Sequence, residues 1–245
     1  MQIHRLLSVL LACAIAAAAH GATAAPVAQT IVENVGGVDV VLPVPPGFVL
    51  PGATPPAMRD MMIHALPPTN RLVTVMLTQQ FLDELHPGGT AGKTRYLAVQ
   101  SFRSVEQSGA TPELFDQVKA MFRNQSAQLL ASARSQADES TGRISQDIGK
   151  LTGDSKASVQ ASDQQLLGIF DEQADSISLG AVQSLSTAVH DKKLQMKQAM
   201  AMTAVLLHGQ VLMAAFYSSD DSQADIDWVE DQARAWNKRL HQLNP

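Results

Sequence analysis

Residues 197–218, KQAMAMTAVLLHGQVLMAAFYS, decide the fold, because two apolar runs flank the dipeptide His208-Gly209. Glycine adopts the positive φ angles that tight hairpin turns require. The pattern therefore predicts a β-hairpin with strands at Lys197–Leu207 and Gln210–Ser218. Strands with this many apolar residues need a second layer to cover them, so we expect an antiparallel sheet with another element packed against it.

A helix after the hairpin supplies that layer. Asp225 and Asp227 lie in its first turn and Arg239 in its last turn, which is the charge placement that a helix dipole favours. Apolar residues at intervals of three and four predict that one face packs on the sheet; they are Ile226, Val229, Ala233, Trp236 and Leu240. Trp228 lies off this face, and we expect it to matter less for stability unless it anchors a partner.

Alternating and β-branched residues predict further strands before the hairpin, at Val38–Leu42, Arg71–Thr78, Thr94–Arg103, Leu166–Phe170 and Ser176–Ser186. Half of the 12 prolines lie between Pro43 and Pro56. Proline lacks the N–H donor that strands and helices need, so the Pro-rich segment 43–68 is predicted to be a surface loop with a helical turn at Ala57–Ala65.

A second helix is predicted to begin at Pro112, with Thr111 as its N-cap residue. A narrow stripe of apolar and small residues extends it to about Lys150; the stripe consists of Leu114, Val118, Met121, Leu129, Ala133, Ala137, Ile144, Ile148 and Leu151. Gly142 leaves one continuous helix and two broken segments both open. Together the elements predict an α+β fold: an antiparallel sheet of about six or seven strands, one long central helix and a C-terminal helix packed on the sheet.

The N-terminal residues 1–24 are typical of a cleaved signal peptide. Arg5 precedes an apolar run of about ten residues, and Ala22-Thr23-Ala24 offers the small residues that a signal peptidase needs. The alternatives are an uncleaved anchor, although a span needs about 20 apolar residues, and a lipoprotein acylated at Cys13. We therefore expect export to the periplasm or beyond and a mature single domain at 25–245, with no membrane span.

Removal of the signal peptide takes away Cys13, the only cysteine, and Arg5, which changes the net charge from −5 to −6. The mature chain then has no thiol nucleophile, disulfide or cysteine metal ligand. The acidic surplus is not typical of proteins that bind nucleic acid or anionic lipid.

The stretch Gly88-Gly89-Thr90-Ala91-Gly92-Lys93-Thr94 ends like a phosphate-binding loop, but the position of the first glycine is Pro87 and a strand follows instead of a helix. We interpret it as a glycine-rich turn. The segment Met58–His64 combines thioethers with an imidazole, as Cu(I) sites do, but methionine is also a common core residue. We interpret this segment as structural.

Four aspartates near the start of the C-terminal helix lack the spacing and the turn glycine of a calcium loop, so we assign them to helix capping. They are Asp220, Asp221, Asp225 and Asp227. The five mature histidines show no zinc-binding spacing; they are His64, His86, His190, His208 and His241. No Gly-x-Ser-x-Gly elbow is present. The sequence therefore predicts no catalytic, cofactor-binding or metal-binding residues and no cofactor.

Three parts of the chain carry a family resemblance: Leu42–Phe48 (LPVPPGF), Asn70-Arg71-Leu72, and the hairpin followed by Ala224–Trp228 (ADIDW) and Ala235-Trp236. These segments resemble a group of exported proteobacterial proteins of unassigned function. The order of elements is more weakly similar to the PsbP/Mog1-like α/β sandwich, whose members are mostly non-enzymatic assembly or binding factors; such an analogy is associational.

These observations favour an exported, non-enzymatic protein that binds a protein partner or assists assembly at the cell envelope. Two alternatives stay open. One is a periplasmic hydrolase whose residues meet only in three dimensions, and the other is an immunity protein against a toxin that acts in the periplasm.

Overall fold

The structure, a computed structural model, describes residues 29–84, 93–124, 141–150, 154–190 and 192–245. Six antiparallel strands form the main sheet in the order β3-β4-β8-β7-β6-β5. Their bounds are Asn70–Leu77 (β3), Arg95–Phe102 (β4), Ser158–Glu172 (β5), Ser176–Val189 (β6), Lys192–Leu207 (β7) and Gln210–Ser218 (β8). The α+β prediction with an antiparallel sheet is thus confirmed.

The hairpin predicted around His208-Gly209 is formed by β7 and β8, with Leu207 opposite Gln210. Both turn residues have positive φ, 49° for His208 and 77° for Gly209, as a two-residue hairpin turn requires. A second hairpin, β1 (Thr30–Val35) with β2 (Val38–Pro43), forms a separate two-stranded sheet. The sequence predicted β2 but not β1.

The C-terminal helix α6 (Gln223–Leu243) covers one face of the main sheet, as predicted. Val229, Ala233, Trp236 and Leu240 are buried there, together with Phe216 of β8. Trp236 also donates from Nε1 to the carbonyl of Pro43 at 3.0 Å, which joins α6 to the end of β2.

Trp228 lies outside the buried face of α6, as predicted, but it is not isolated. Its ring stacks on Phe48, with centroids 6.2 Å apart and planes 10° from parallel, and it is partly buried against the core. The Arg95 guanidinium lies 4.1 Å from the same ring. Trp228 is therefore engaged within the fold.

The opposite face of the sheet is covered in part by α4 (Pro112–Asn124), which begins where predicted and is capped by Thr111 Oγ1 accepting from the Leu114 N–H at 3.3 Å. Its buried face, however, contains Phe115 and Phe122, whereas Leu114 and Met121 of the predicted stripe are 39% and 37% exposed. The stripe was wrong at Leu114 and Met121, because the helix turns its two aromatic rings, which bury more apolar area, towards the sheet. Val118 of the stripe does pack against this cluster.

Residues 141–150 are helical and form α5. The continuity of the predicted 112–150 helix, with Leu129, Ala133 and Ala137, lies outside the described residues. The described residues also form three further helices, α1 (Pro56–Ala65), α2 (Gln79–Glu84) and α3 (Arg103–Ser108), and a 3₁₀ turn at Pro51–Ala53. Of these, the sequence predicted α1 alone. Within the described part of the chain, no helix combines the length and apolar character that crossing a bilayer demands.

Candidate partner-binding edge

β5 is one of the two end strands of the main sheet, the other being β3, and it pairs only with β6 among the described strands. Two helices contact its ends. At the start, the Val159 N–H donates to Ser145 Oγ of α5 at 2.8 Å. At the end, Arg123 of α4 binds Glu172, with Nε 3.1 Å from Oε2. Between these contacts, the described residues add no strand to β5, and we call its segment Leu166–Ile169 the β5 window.

The β5 window is strongly bent. The pairing of β5 with β6 shifts register three times, between Ser162 and Gln165, between Leu166 and Gly168, and between Ile169 and Asp171. Gly168 has a φ of 116°, which side chains with a Cβ rarely adopt. Bulges of this kind disrupt the backbone ladder and are a common way to protect an edge strand from pairing with another sheet.

Two large apolar side chains are nevertheless exposed in the window, Leu167 at 41% and Ile169 at 40%. They adjoin a pocket of about 280 Å³, which is lined by Phe122 and Arg123 of α4, Leu166–Ile169 of β5 and Leu179 of β6. This volume is just below the roughly 300–1,000 Å³ of small-molecule sites.

Arg123, the charged residue at the pocket, is already paired with Glu172. The hydrogen bond from Arg123 lowers the pKa of the Glu172 carboxyl, and the same bond raises the pKa of the Arg123 guanidinium. Arg123 is the single titratable residue among the lining residues. General acid–base chemistry needs a group that can exchange a proton near working pH, and a guanidinium is always protonated. The pocket therefore offers apolar contact and one fixed positive charge.

The other border of the window is formed by α6. Glu230 of α6 and Leu167 of β5 both approach Gly180 of β6 from the same side. A Cβ at Gly180 would lie 3.1 Å from Glu230 Oε1 and 3.4 Å from Leu167 Cβ. Arg234 donates to Glu230 at 2.9 Å and to Asp231 at 3.1 Å, and its guanidinium lies 4.7 Å from the Phe170 ring centre. Leu167 therefore lies on the α6 side of β5, whereas Ile169 pairs with Leu179 and lies on the α4 side, where the pocket is.

Comparison with known proteins adds little to this geometry. No family model matches the chain, and no curated protein matches it at a significant level. Among solved structures, the chain is similar to the Ran-binding protein Mog1p of Saccharomyces cerevisiae, with 11% identity, a TM-score of 0.28, and coverage of 89% of this chain and 93% of that chain. A likeness at this level carries no information about activity or partners. The resemblance to exported proteobacterial proteins stays a prediction.

The thioether and imidazole groups of the Met58–His64 segment do not converge. Met58 and Met62 pack beside the buried cluster of Leu72, Val75, Leu77 and Phe81. His64 turns instead to α5, where its Nδ1 lies 2.5 Å from Asp147 Oδ2. Within the described ranges, no group of three or more His, Cys, Asp or Glu side chains is arranged to hold a metal ion.

The other residues considered from the sequence are dispersed. Gly88–Gly92 and His86 lie outside the described residues. His208 occupies the predicted hairpin turn and His190 occupies another turn, both with positive φ. His241 Nδ1 lies 3.4 Å from Asp175 Oδ2.

Assigning Asp225 to helix capping was incomplete, because its buried carboxylate accepts hydrogen bonds from Lys93 and Arg95, about 130 residues away along the chain. Reading of the sequence also missed the β5 window. Leu166–Phe170 was predicted as a strand, but nothing in its composition says that the strand lies at an edge. The one available signal was Gly168, since a glycine inside a strand often marks a bulge.

Proposed function

We propose that this protein is an exported, non-enzymatic protein of the cell envelope that binds a protein partner, or assists its assembly, at the β5 window. The observation that carries the binding role is the exposure of Ile169 at the pocket between α4 and β5. A partner that covers this side chain removes apolar area from water, which favours binding.

Two features support the other parts of the proposal. The order of Arg5, an apolar run and Ala22-Thr23-Ala24 favours export. The pocket contains an ion-paired arginine and apolar side chains, and this combination suits recognition better than proton transfer.

Site-specific photo-crosslinking tests the binding role. p-Benzoylphenylalanine replaces Ile169 in the full chain, which is produced in the cell that naturally makes it and then irradiated. The matched control carries the same probe at Val32, which is 62% exposed and belongs to the separate β1–β2 hairpin. We expect a discrete adduct with one protein from position 169 and none from position 32.

The adduct is identified by mass spectrometry, and the purified partner is then titrated against the Ile169→Ser variant. Truncation of a central interface residue typically costs about 2 kcal/mol or more, so the Kd should rise roughly 30-fold, whereas Val32→Ser should leave it unchanged. Equal labelling at positions 32 and 169, or no adduct at position 169, would show that the window is not the binding site.

A further inference from the structure

We infer that Asn237 and His241 of α6 form a proton-sensitive clamp on the turn between β5 and β6, which holds the turn more tightly when the His241 ring is protonated. This inference is independent of the proposed binding role. Two observations carry it: the contacts from α6 to the turn, and two buried atoms of the clamp that have no hydrogen-bond partner.

Two side chains of α6 reach the turn, which consists of residues 173–175 and leads into Ser176. Asn237 is fully buried, and its Nδ2 donates to Ser176 Oγ at 2.9 Å. His241 lies one helical turn later, and its Nδ1 is 3.4 Å from Asp175 Oδ2. Two neighbouring side chains on one face of α6 therefore hold two successive residues, Asp175 and Ser176.

Two atoms of the clamp are buried and have no hydrogen-bond partner among the described residues. They are Oδ1 of Asn237 and Nε2 of His241. Buried polar atoms are nearly always hydrogen-bonded, and an unpartnered one costs free energy. Because side chains four residues apart on a helix are neighbours, pairing these two atoms with each other would remove both costs.

The charge of the His241 ring decides whether the two atoms can pair. An ionised carboxylate such as that of Asp175 only accepts hydrogen bonds, so the proton of a neutral ring belongs on Nδ1 and leaves Nε2 an acceptor. Asn237 Oδ1 is an acceptor too, and two acceptors cannot bond. A second proton turns Nε2 into a donor for Oδ1 and places a positive charge beside Asp175. The protonated ring therefore matches the orientation of the Asn237 amide in the structure.

The neutral ring matches the opposite orientation of this amide. After half a rotation, the NH₂ group of Asn237 can donate to His241 Nε2 while its oxygen accepts from the Ser176 hydroxyl group. The contact between the ring and Asp175 then loses its positive charge. Each charge state thus has its own hydrogen-bond arrangement, and the protonated state holds the turn more strongly, because hydrogen bonds between charged groups are the stronger ones.

The other charged groups around the clamp leave Asp175 as the partner of the ring. Lys119 of α4 holds the same turn from the other face of the sheet, since its Nζ donates to the Ala174 carbonyl at 2.7 Å. The side chains that β6 and β7 bury beside the clamp are uncharged. The remaining charged or titratable residues are Asp171 of β5, which pairs with Ser178, His208, whose Nε2 lies 3.4 Å from the carbonyl oxygen of Pro245, Arg234, which is bound by Glu230 and Asp231, and Lys238 and Arg239 of α6.

NMR spectroscopy of the full chain tests the proton dependence across the range in which histidine exchanges its proton, about pH 5 to 8. The imidazole nitrogens are observed, and His241 is assigned from the signals that His241→Gln removes or, if that variant does not fold, from those that Asp175→Asn shifts. We expect Nε2 of His241 to lose its proton as the pH rises while Nδ1 keeps its own, and the NH₂ signals of Asn237 to shift with the same midpoint. The matched control is His208→Asn, since asparagine tolerates the positive φ of that turn, and it should leave both titrations unchanged.

Hydrogen exchange measures how tightly the turn is held. The reporters are the amides of Leu206 and Gln173, which donate to the carbonyls of Asp175 and Ser176, both at 2.9 Å. After correction for the intrinsic pH dependence of exchange, their protection should fall about threefold between about pH 5.5 and 8, the size expected for a partly exposed ion pair. The contribution of the protonated ring is present at low pH and is lost as the pH rises through the histidine range. Asp175→Asn, in a turn where this side chain is 47% exposed, should remove most of the fall.

Three results would overturn the inference. They are a His241 Nε2 that carries no proton at any pH in this range, Asn237 signals that do not follow the His241 titration, and protection that falls equally in the wild type and in Asp175→Asn. None of them bears on crosslinking at Ile169, which tests the proposed function separately.

Discussion

The guanidinium group of Arg95 donates from Nη2 to Oδ1 of Asp225 across 2.8 Å, which joins β4, the second strand of the main sheet, to the first turn of α6. Asp225 is fully buried and also accepts from Lys93 at 2.5 Å and from the hydroxyl groups of Ser218 and Ser222 at 2.7 and 2.5 Å. Burial alone would raise the pKa of this carboxyl, but the hydrogen bonds outweigh it and hold the pKa well below its usual range.

Replacement of Asp225 should therefore be strongly destabilising. Asp225→Asn removes the negative charge that Arg95 and Lys93 share. We expect the free energy of unfolding to fall by about 3 kcal/mol. This value is at the lower end for a broken buried ion pair, because both cations are partly exposed. Urea denaturation measures the change. Asp227→Asn, an exposed residue in the same helical turn, is the control and should shift stability by less than about 0.5 kcal/mol.

The same carboxylate should shape the acid stability of the protein. Because its pKa is lowered in the folded state, its stabilising contribution is present above the unfolded pKa of about 3.9 and is lost as the pH falls further towards the folded value. We expect the free energy of unfolding to drop less steeply below pH 4 in Asp225→Asn than in the wild type. Parallel pH profiles of the two proteins would contradict this assignment.

Trp236 should be essential to the core. Its side chain is buried against Phe216, and its indole nitrogen binds the Pro43 carbonyl. Trp236→Ala should cost about 3–5 kcal/mol through lost burial and the cavity left behind, and Trp228→Ala should cost less because that ring is only partly buried. Thermal melting compares the two variants. A Trp236→Ala protein that melts like the wild type would mean that α6 is not docked on the sheet.

Neighbouring residues of α4 offer a sharp test of its orientation. Phe115 is buried, whereas Leu114 is 39% exposed. Phe115→Ala should lower the free energy of unfolding by about 3–5 kcal/mol, and Leu114→Ala should lower it by about 1 kcal/mol or less. The reverse order in urea denaturation would restore the face predicted from the sequence.

The predicted signal peptide can be tested independently of the fold. If residues 1–24 are removed by signal peptidase, the intact mass of the secreted protein should correspond to a chain that begins at Ala25. A lipid attached to Cys13, or a chain that retains Met1 in the membrane fraction, would contradict it.

The sequence by itself determined the local structure of this protein. The hairpin turn at His208-Gly209 was predicted from a glycine between two apolar runs, and the buried face of α6 from spacings of three and four residues. These features depend on residues that are close along the chain, so a pattern in the sequence is sufficient to predict them.

Tertiary structure alone decided which surfaces are free and which charges meet. The exposure of Leu167 and Ile169 depends on β5 being the last strand of the sheet, and strand order arises from pairings between distant segments. Asp225 is stabilised by Lys93 and Arg95 because β4 lies next to β8, which leads into α6. Phe115, rather than Leu114, faces the sheet. These neighbouring side chains point in different directions, and the surface of the sheet decides which of them is buried.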